Sequence, residues 1–243
     1  MASMTANAMI DKPERLTQRE PNVRSPRRAR AVYYPESDKK PMAETPEHQE
    51  AMFYAVAAAR AALDGIADKY VAGNNFVYYV EGDKKKRVSP DCYVVLGIPA
   101  KSRPSYMTWQ NGGRPPNVVW ELTSRKTARD DREEKFVLYE QTLKVPEYFL
   151  FDPKDQYLKP RLQGYRLVGG TYQPIVPDAN GRMTSRETGI VMFADGELLR
   201  FIHPRTGEVI PTFAEADARR IAAETEVERL RAKLSRLTGG GNG

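Results

Sequence analysis

Apolar residues recur every three or four positions from Thr45 to Gly73, which is the spacing of one face of a helix. In "TPEHQE", Thr45 fits the N-cap, Pro46 fits the first helical position and Glu47 fits the positive end of the helix dipole. The segment therefore predicts an amphipathic helix, whose apolar face contains Met52, Phe53, Val56, Ala59, Leu63, Ile66 and Tyr70.

The following stretches are rich in β-branched and aromatic residues, as strands are. "NFVYYV" and "RVSPDCYVVLGI" flank the polar turn "EGDKKK" and predict a hairpin, while "VVWELTS" and "VPEYFLF" predict two further strands. Between these two, "TARDDREEKFVLYEQTL" predicts a second helix. Thr127 precedes Asp130 by three residues, which is a capping-box pattern, and Phe136, Tyr139 and Leu143 share one helical face.

The order of these elements predicts an α/β fold with a sheet flanked by helices. Residues 160–176 alternate around a Gly-Gly pair and predict a hairpin, and "GIVMFADGELLRFIHP" predicts further short strands. The chain turns helical from Phe213 to Leu237, with Val227, Leu230 and Leu234 at spacings of three and four residues. Two heptads leave two interpretations open: pairing with a second copy in a homodimer, or packing on the helix's own domain.

Composition divides the chain into one folded domain with two extensions. Residues 1–45 are rich in Pro, Arg, Lys and Ser and lack an apolar period, so they predict a largely disordered basic tail. The arginines at 27, 28 and 30 either contact phosphates or are simply solvated. Residues 46–213 contain the core-forming elements, and residues 214–243 contain the C-terminal helix and a Gly-rich tail.

Composition and charge also limit the location, the metal ligands and the partners that the chain is expected to have. The 243 residues are 40% hydrophobic, which suffices for a core, and no long uncharged apolar run predicts a membrane span. The start of the sequence has no apolar signal segment, so a cytoplasmic location is expected.

One cysteine, Cys92, and two histidines offer no zinc constellation, so any metal is expected to have oxygen ligands. The formal net charge of +6 favours a polyanionic partner such as nucleic acid.

Two acidic residues interrupt the apolar strands, Asp91 in "SPDCYVV" and Glu121 in "VVWELTS". A buried carboxylate is costly unless it is paired, hydrogen-bonded or metal-bound. Asp91 fits a turn or a metal ligand, and Glu121 fits a metal ligand or a buried ion pair. Two carboxylates meeting at strand ends form the hard oxygen site that Mg²⁺ prefers. Lys135, four residues after Asp131, fits either a reach toward these strands or an ion pair with Asp131.

Taken together, "SPD", "VVWELTS", the lysine-bearing second helix and "VPEYFLFDP" resemble the Uma family of restriction endonuclease-like proteins, in the PD-(D/E)XK nuclease superfamily. The resemblance covers roughly residues 46–213. It implies a restriction-endonuclease-like fold, with a mixed central sheet between helices and a divalent-metal site at one edge.

Residue by residue, the resemblance implies that Asp91 and Glu121 bind Mg²⁺, for which Mn²⁺ substitutes. The superfamily's lysine normally stands two residues after the acid, where this chain has Thr123. A lysine migrated onto the following helix corresponds to Lys135, with Lys126 as the second choice. Supporting positions are the Leu122 carbonyl as a further ligand, Ser124 as a hydrogen-bond partner of Glu121 or phosphate, and His48 and Glu50 as outer contacts or plain surface residues.

The resemblance implies a Mg²⁺-dependent DNA endonuclease that hydrolyses phosphodiester bonds with a metal-activated water. Thr123 at the usual lysine position leaves an alternative open. In that alternative, the nuclease-like fold is retained to bind nucleic acid or a protein partner.

Overall fold

The computed structural model describes residues 32–36 and 45–239. Its strands are β1 (Lys69–Ala72), β2 (Val77–Tyr78), β3 (Arg87–Val88), β4 (Cys92–Leu96), β5 (Tyr106–Met107), β6 (Val118–Leu122), β7 (Glu147–Phe151), β8 (Leu162–Val168), β9 (Thr171–Pro174), β10 (Met183–Thr184), β11 (Val191–Asp195) and β12 (Leu198–Ile202). The helices are α1 (Pro46–Ala62), α2 (Ala128–Arg132), α3 (Glu134–Val137) and α4 (Phe213–Gly239), with a 3-10 turn at Thr108–Asn111 and a π-helical stretch at Leu138–Leu143.

A six-stranded mixed sheet in the order β1-β4-β6-β7-β8-β9 forms the centre of the fold. Its β6 and β7 strands run parallel, and the other neighbouring strands are antiparallel. Two three-stranded sheets, β3-β2-β5 and β10-β11-β12, accompany it. The predicted α/β class with a mixed central sheet and a C-terminal helix is therefore confirmed.

The two faces of the central sheet have separate hydrophobic cores. One core joins the sheet to α1 and to the β10-β11-β12 sheet, with Trp120 and Phe149 stacked at its centre. The other joins the sheet to the helical segment 128–143 and to the β3-β2-β5 sheet, and it is rich in tyrosine. Because side chains alternate along β6, Trp120 points into the first core, and Glu121 points toward the second.

The first helix is shorter than its apolar period predicts. α1 ends at Ala62 instead of reaching Gly73, and Lys69–Ala72 form β1, which pairs with β4. Gly65 has a φ of 79°, in the left-handed region, and lies in the turn between the two elements. Tyr70 belongs to the strand, where its ring packs 5.9 Å from that of Tyr93. Short apolar runs fit both periods, so tertiary pairing decides this case.

The predicted hairpin around "EGDKKK" is only partly correct. β2 and β3 pair in antiparallel fashion across this turn. The stretch "RVSPDCYVVLGI" is not one strand, however, because it breaks at Ser89–Asp91, and β4 pairs with β1 and β6 instead. The predicted Gly-Gly hairpin is confirmed: β8 and β9 are joined by Gly169 and Gly170, with φ of 61° and 90°.

The predicted capping box at Thr127 is wrong. Its side chain makes no cap hydrogen bond to the helix, and its backbone is already helical, with φ of −102° and ψ of −15°. Thr127 Oγ1 instead accepts a hydrogen bond from the Ser124 amide at 3.1 Å. A capping box does occur at α4, where Glu215 Oε2 accepts from the Thr212 amide at 2.7 Å and Thr212 Oγ1 accepts from the Glu215 amide at 3.2 Å.

Most of the predicted disordered tail, residues 1–45, lies outside the described residues. Tyr34, which is described, packs with its ring 5.1 Å from Tyr78 and 5.3 Å from Trp109. In the described part of the chain, no helix has the length and hydrophobicity that crossing a bilayer requires.

The Glu215–Arg200 ion pair at the start of α4 predicts a loss of stability in acid. A hydrogen bond from Arg200 and the Thr212 amide lower the pKa of Glu215 to about 2. Since the folded-state pKa is depressed, the pair stabilises the protein above the unfolded pKa of about 4.5, and this contribution is lost as pH falls toward 2. We expect urea unfolding between these pH values to be less pH-dependent in Glu215→Gln than in the wild type. Glu228→Gln, an exposed change on the same helix, should behave as the wild type, and an equal pH slope in all three proteins would contradict the expectation.

Candidate metal centre

The register of β4 and β6 brings Asp91 and Glu121 together. Cys92 pairs with Trp120 in an antiparallel register, so Asp91, which directly precedes β4, lies opposite Glu121, which follows Trp120. Two hydrogen bonds hold them: the Leu122 amide donates to Asp91 Oδ2 at 2.8 Å, and the Asp91 amide donates to Glu121 Oε2 at 3.3 Å. The two carboxyl groups predicted from sequence therefore lie side by side at one end of the sheet.

A glycine lets the neighbouring chain pass close to Asp91. A Cβ on Gly73, just after β1, would lie 2.1 Å from the carbonyl oxygen of Asp91 and 2.7 Å from a methyl group of Val56. The Asn74 amide then donates to the Pro90 carbonyl at 2.8 Å. A larger residue at 73 would force this backbone away, so Gly73 helps to fix the position of Asp91.

The helical segment 128–143 supplies the lysine. Asp131, Lys135 and Tyr139 are spaced four residues apart and face the sheet. Lys135 Nζ lies 3.0 Å from Glu121 Oε2 and 2.9 Å from Asp131 Oδ1, and the Tyr139 hydroxyl donates to Glu121 Oε1 at 2.8 Å. Both interpretations of Lys135 therefore occur together: it reaches the strand acid and forms the i,i+4 ion pair.

The cluster is buried and contains unsatisfied polar atoms. The side chains of Glu121 and Asp131 are 0% and 1% exposed, against 14% for Lys135 and 15% for Asp91. Among the described residues, buried side-chain atoms without a hydrogen bond include His48 Nδ1, Thr123 Oγ1 and both carboxylate oxygens of Asp131, although Asp131 Oδ1 keeps its ion pair. A buried polar atom without a partner costs about 1–3 kcal/mol, so the unpaired atoms among these lower the stability of the cluster.

The charges of the cluster do not balance. Burial raises the pKa of the Glu121 carboxyl well above its usual range; Lys135 opposes this shift, and Asp91 and Asp131 add to it. Burial also lowers the pKa of Lys135, but the carboxylates of Glu121, Asp131 and Asp91 outweigh this effect and raise it. Three carboxyl groups thus surround one ammonium group, which leaves an excess of negative charge when all are ionised.

The other candidate residues lie at different distances from this cluster. His48 is buried at 7% exposure, contrary to a surface position, and its Nε2 lies 3.8 Å from Asp91 Oδ2. Glu50 is exposed, as is Lys126 in the turn before α2. Ser124 Oγ lies 3.2 Å from Thr127 Oγ1, so in this structure its hydrogen bonds go to Thr127.

Three residues of the cluster received little or no role from the sequence. The sequence predicts Asp131 only as an ion-pair partner, yet it is completely buried beside Lys135. The sequence predicts Tyr139 only as part of the apolar helix face, yet its hydroxyl donates to Glu121. Tyr148 of β7 donates to the Asp131 carbonyl at 2.8 Å. The spacing of 131, 135 and 139 was the available signal, since it places an acid, a base and a phenol on one helical face.

Part of the chain is similar to known proteins. A search of curated proteins found no match. A solved structure, described as a putative nuclease belonging to DUF820 from Anabaena variabilis, matches with a TM-score of 0.44 and 14% identity, over 60% of this chain and 75% of that chain. The family model Uma2, described as "Putative restriction endonuclease", matches residues 36–195. Because this match spans well over half of the sequence, the chain belongs to the Uma2 family.

Proposed function

We propose that this chain is a divalent-metal-dependent DNA endonuclease, with Asp91 and Glu121 as metal ligands and Lys135 as the catalytic lysine. The observation that supports it most is the meeting of two carboxylates from neighbouring strands with Lys135 Nζ, 3.0 Å from Glu121. Membership of the Uma2 family supports a nuclease. The superfamily's usual lysine position holds Thr123 in this chain. Lys135, from the helical segment that follows β6, supplies a lysine beside Glu121 instead.

The donor set fits Mg²⁺ or Mn²⁺. The described residues contain no group of three or more His, Cys, Asp or Glu arranged around one metal position. Mg²⁺ does not need such a group, because it is usually held by one or two carboxylates plus waters and substrate phosphate oxygens. When bound, the ion would act as a Lewis acid that activates a water and offsets charge on the phosphate. A cation bound here would favour the ionised form of Glu121, whose pKa is raised by burial, Asp91 and Asp131.

Each residue of the cluster has a distinct role in this proposal. Asp91 and Glu121 hold the ion, and the carbonyl of Leu122 is a further candidate ligand. Lys135 orients the attacking water or stabilises the charge that develops on the phosphate. Asp131 contacts Lys135 from its own helix and acts as a positioning residue. His48, whose Nε2 lies 3.8 Å from Asp91 Oδ2, supports that carboxylate.

The formal net charge of +6 supports a nucleic-acid substrate, because binding to phosphates releases counterions. Ser124 and Lys126 lie in the turn that follows β6 and precedes α2. This turn directly follows the acid-bearing strand, so both residues remain candidates for contacts to a phosphate of the substrate.

The test is cleavage of plasmid and single-stranded DNA with Mg²⁺ or Mn²⁺. We expect metal-dependent cutting by the wild type and a loss of about 100-fold or more in Asp91→Asn, which keeps an acceptor for the Leu122 amide but loses a charged ligand. Asp178→Asn is the matched control, because Asp178 also accepts backbone hydrogen bonds at 2.8 Å but belongs to a turn outside the cluster. Metal-dependent DNA binding without any cutting would instead support the binding-only alternative.

A further inference from the structure

The C-terminal helix α4 exposes large apolar side chains along most of its length. Val227, Leu230 and Leu237 are 45%, 50% and 71% exposed, and Phe213 at the start is 83% exposed. Every residue from Ala216 to Leu237 is exposed, so the alternative that this helix packs on its own domain is wrong. A helix of this kind retains a large apolar surface that another surface can cover.

The exposed residues follow heptad spacing for three and a half heptads. With Phe213 at position a, the a positions also include Arg220, Val227 and Leu234, and the d positions are Ala216, Ala223, Leu230 and Leu237. Val227 at a followed by Leu230 at d is the combination that favours two-stranded parallel coiled coils. Ile221 lies outside this seam.

The charges beside the seam distinguish parallel from antiparallel pairing with a second copy. In a parallel pair, position g of one helix faces position e of the next heptad of the other helix, so Arg219 faces Glu224 and Glu226 faces Arg231. Both contacts join opposite charges, and each occurs twice. In a fully overlapped antiparallel pair, Arg219 faces Lys233, and Glu226 and Glu224 each face their own copies, so like charges meet at these positions. The contact between Asp217 and Arg231 is the one between opposite charges, so the parallel pair has the more favourable charge pattern.

The ion pairs within α4 leave two arginine side chains available to contact the acids of a second copy. Glu224 and Glu226 have partners on their own helix, Arg220 at 2.8 Å and Arg229 at 2.7 Å. Among the described residues, neither Arg219 nor Arg231 has an ion-pair partner. The charge of Arg220, at an a position, is offset by Asp217 and Glu224. One polar residue in the seam is a known means of fixing the register.

The apolar seam continues into a groove at the N-terminal end of α4. Phe213 and Ala216 line this groove together with Phe53 of α1, which is 59% exposed, and with Met52 and Leu198. The groove lengthens the apolar surface at the same end of α4 where a parallel partner's domain would lie.

From the spacing, the exposure and the charge pattern, we infer that α4 is the dimerisation element of this protein. It pairs with α4 of a second copy in parallel, along a seam from Phe213 to Leu237. This inference is independent of the proposed nuclease activity.

Light scattering of the full-length chain after size-exclusion chromatography tests the pairing. We expect a dimer for the wild type, a monomer for Leu230→Glu, in which a charge enters the seam, and a dimer for the control Ala232→Glu, at the outward f position. A monomeric wild type, or a Leu230→Glu variant that stays dimeric, would overturn the inference. Circular dichroism checks that the core domain stays folded in the variants.

Cysteine cross-linking tests the orientation. Leu237→Cys should form an intermolecular disulfide on mild oxidation, because d residues of parallel helices meet their own copies. Ala232→Cys should not, and the native Cys92 is buried. Arg231→Glu should raise the dimer dissociation constant several-fold, and Glu226→Arg combined with it should restore binding. A dimer that fails to cross-link at 237 and ignores these charges would overturn the parallel arrangement.

Discussion

Replacing Lys135 with methionine is expected to lower the free energy of unfolding of the metal-free protein by about 3–5 kcal/mol. The ammonium group lies 3.0 Å from Glu121 and 2.9 Å from Asp131, and both carboxyl groups are buried. Without it, three acids face one another with no compensating charge. A divalent cation that binds between Asp91 and Glu121 should restore part of the loss, by about 2.7 kcal/mol at a hundred times its Kd.

The pH dependence of this variant has a definite sign. Burial already raises the pKa of Glu121, and removal of Lys135 takes away the positive charge that opposes this shift, leaving only the hydrogen bond from Tyr139 to lower the pKa. A carboxyl whose folded-state pKa is raised binds more protons in the folded than in the unfolded state, so the stability of the variant falls as pH rises above about 4.5. Urea unfolding at pH 5 and pH 8 in EDTA, and again with Mn²⁺, measures both effects.

Lys159→Met is the matched control for this experiment. Lys159 also pairs with an aspartate four residues earlier, at 3.0 Å, but both side chains are exposed. An exposed i,i+4 pair contributes about 0.3–0.5 kcal/mol, so this variant should change little and should not respond to Mn²⁺. Equal losses in the two variants, or a Lys135→Met loss that Mn²⁺ does not reduce, would contradict the account of the cluster.

Glu121→Gln is expected to abolish metal-dependent DNA cleavage, with a loss of about 100-fold to 1000-fold or more. Glutamine keeps the shape of the side chain and an acceptor for the Tyr139 hydroxyl, but it removes the charge that would hold a cation. The same variant should lose the stabilisation that Mn²⁺ gives to the wild type. Initial rates on supercoiled plasmid, together with thermal unfolding at increasing Mn²⁺, provide the two readouts.

Glu147→Gln separates loss of the site from loss of a buried charge. Glu147 is also buried and lies on the adjacent strand β7, but its carboxylate binds Arg166 at 2.7 Å and Ser185 at 2.5 Å. We expect this variant to be destabilised because Arg166 loses its partner, and yet to keep metal-dependent cleavage per folded molecule. If both glutamine variants lost activity in proportion to their stability, Glu121 would be a structural residue and the proposed role would fail.

The sequence predicted β6 and β7 better than the elements that surround them. β6 and β7 are rich in β-branched or aromatic residues and are bounded by turn residues, which favours a strand over a helix. The pattern of Lys69–Ala72 does not favour either, because Tyr70 fits the helical period of α1 as well as a strand. Only pairing with β4 decides between the two, and pairing over this distance leaves no local signal in the sequence.

The sequence predicts which types of residue form the site, but it does not predict their burial or the hydrogen bonds between them. The sequence marks Asp91 and Glu121 as acids beside apolar strand residues, and it marks Lys135 by its spacing from Asp131 and by the family resemblance. The burial of Asp131 and the hydrogen bond from Tyr139 depend on how the helical segment 128–143 packs against β6 and β7. His48 also looks like a surface residue near a helix start, and it is buried because that end of α1 lies against Asp91.

The central claim is that Asp91 and Glu121 together hold a divalent cation, and diffraction from crystals grown with Mn²⁺ tests it most directly. The account predicts an anomalous peak within coordination distance of one oxygen of each carboxylate, with Lys135 Nζ beside it and the peak missing in Glu121→Gln crystals. A Mn²⁺ site elsewhere, or no peak while Lys135 still binds Glu121 in saturating Mn²⁺, would contradict it.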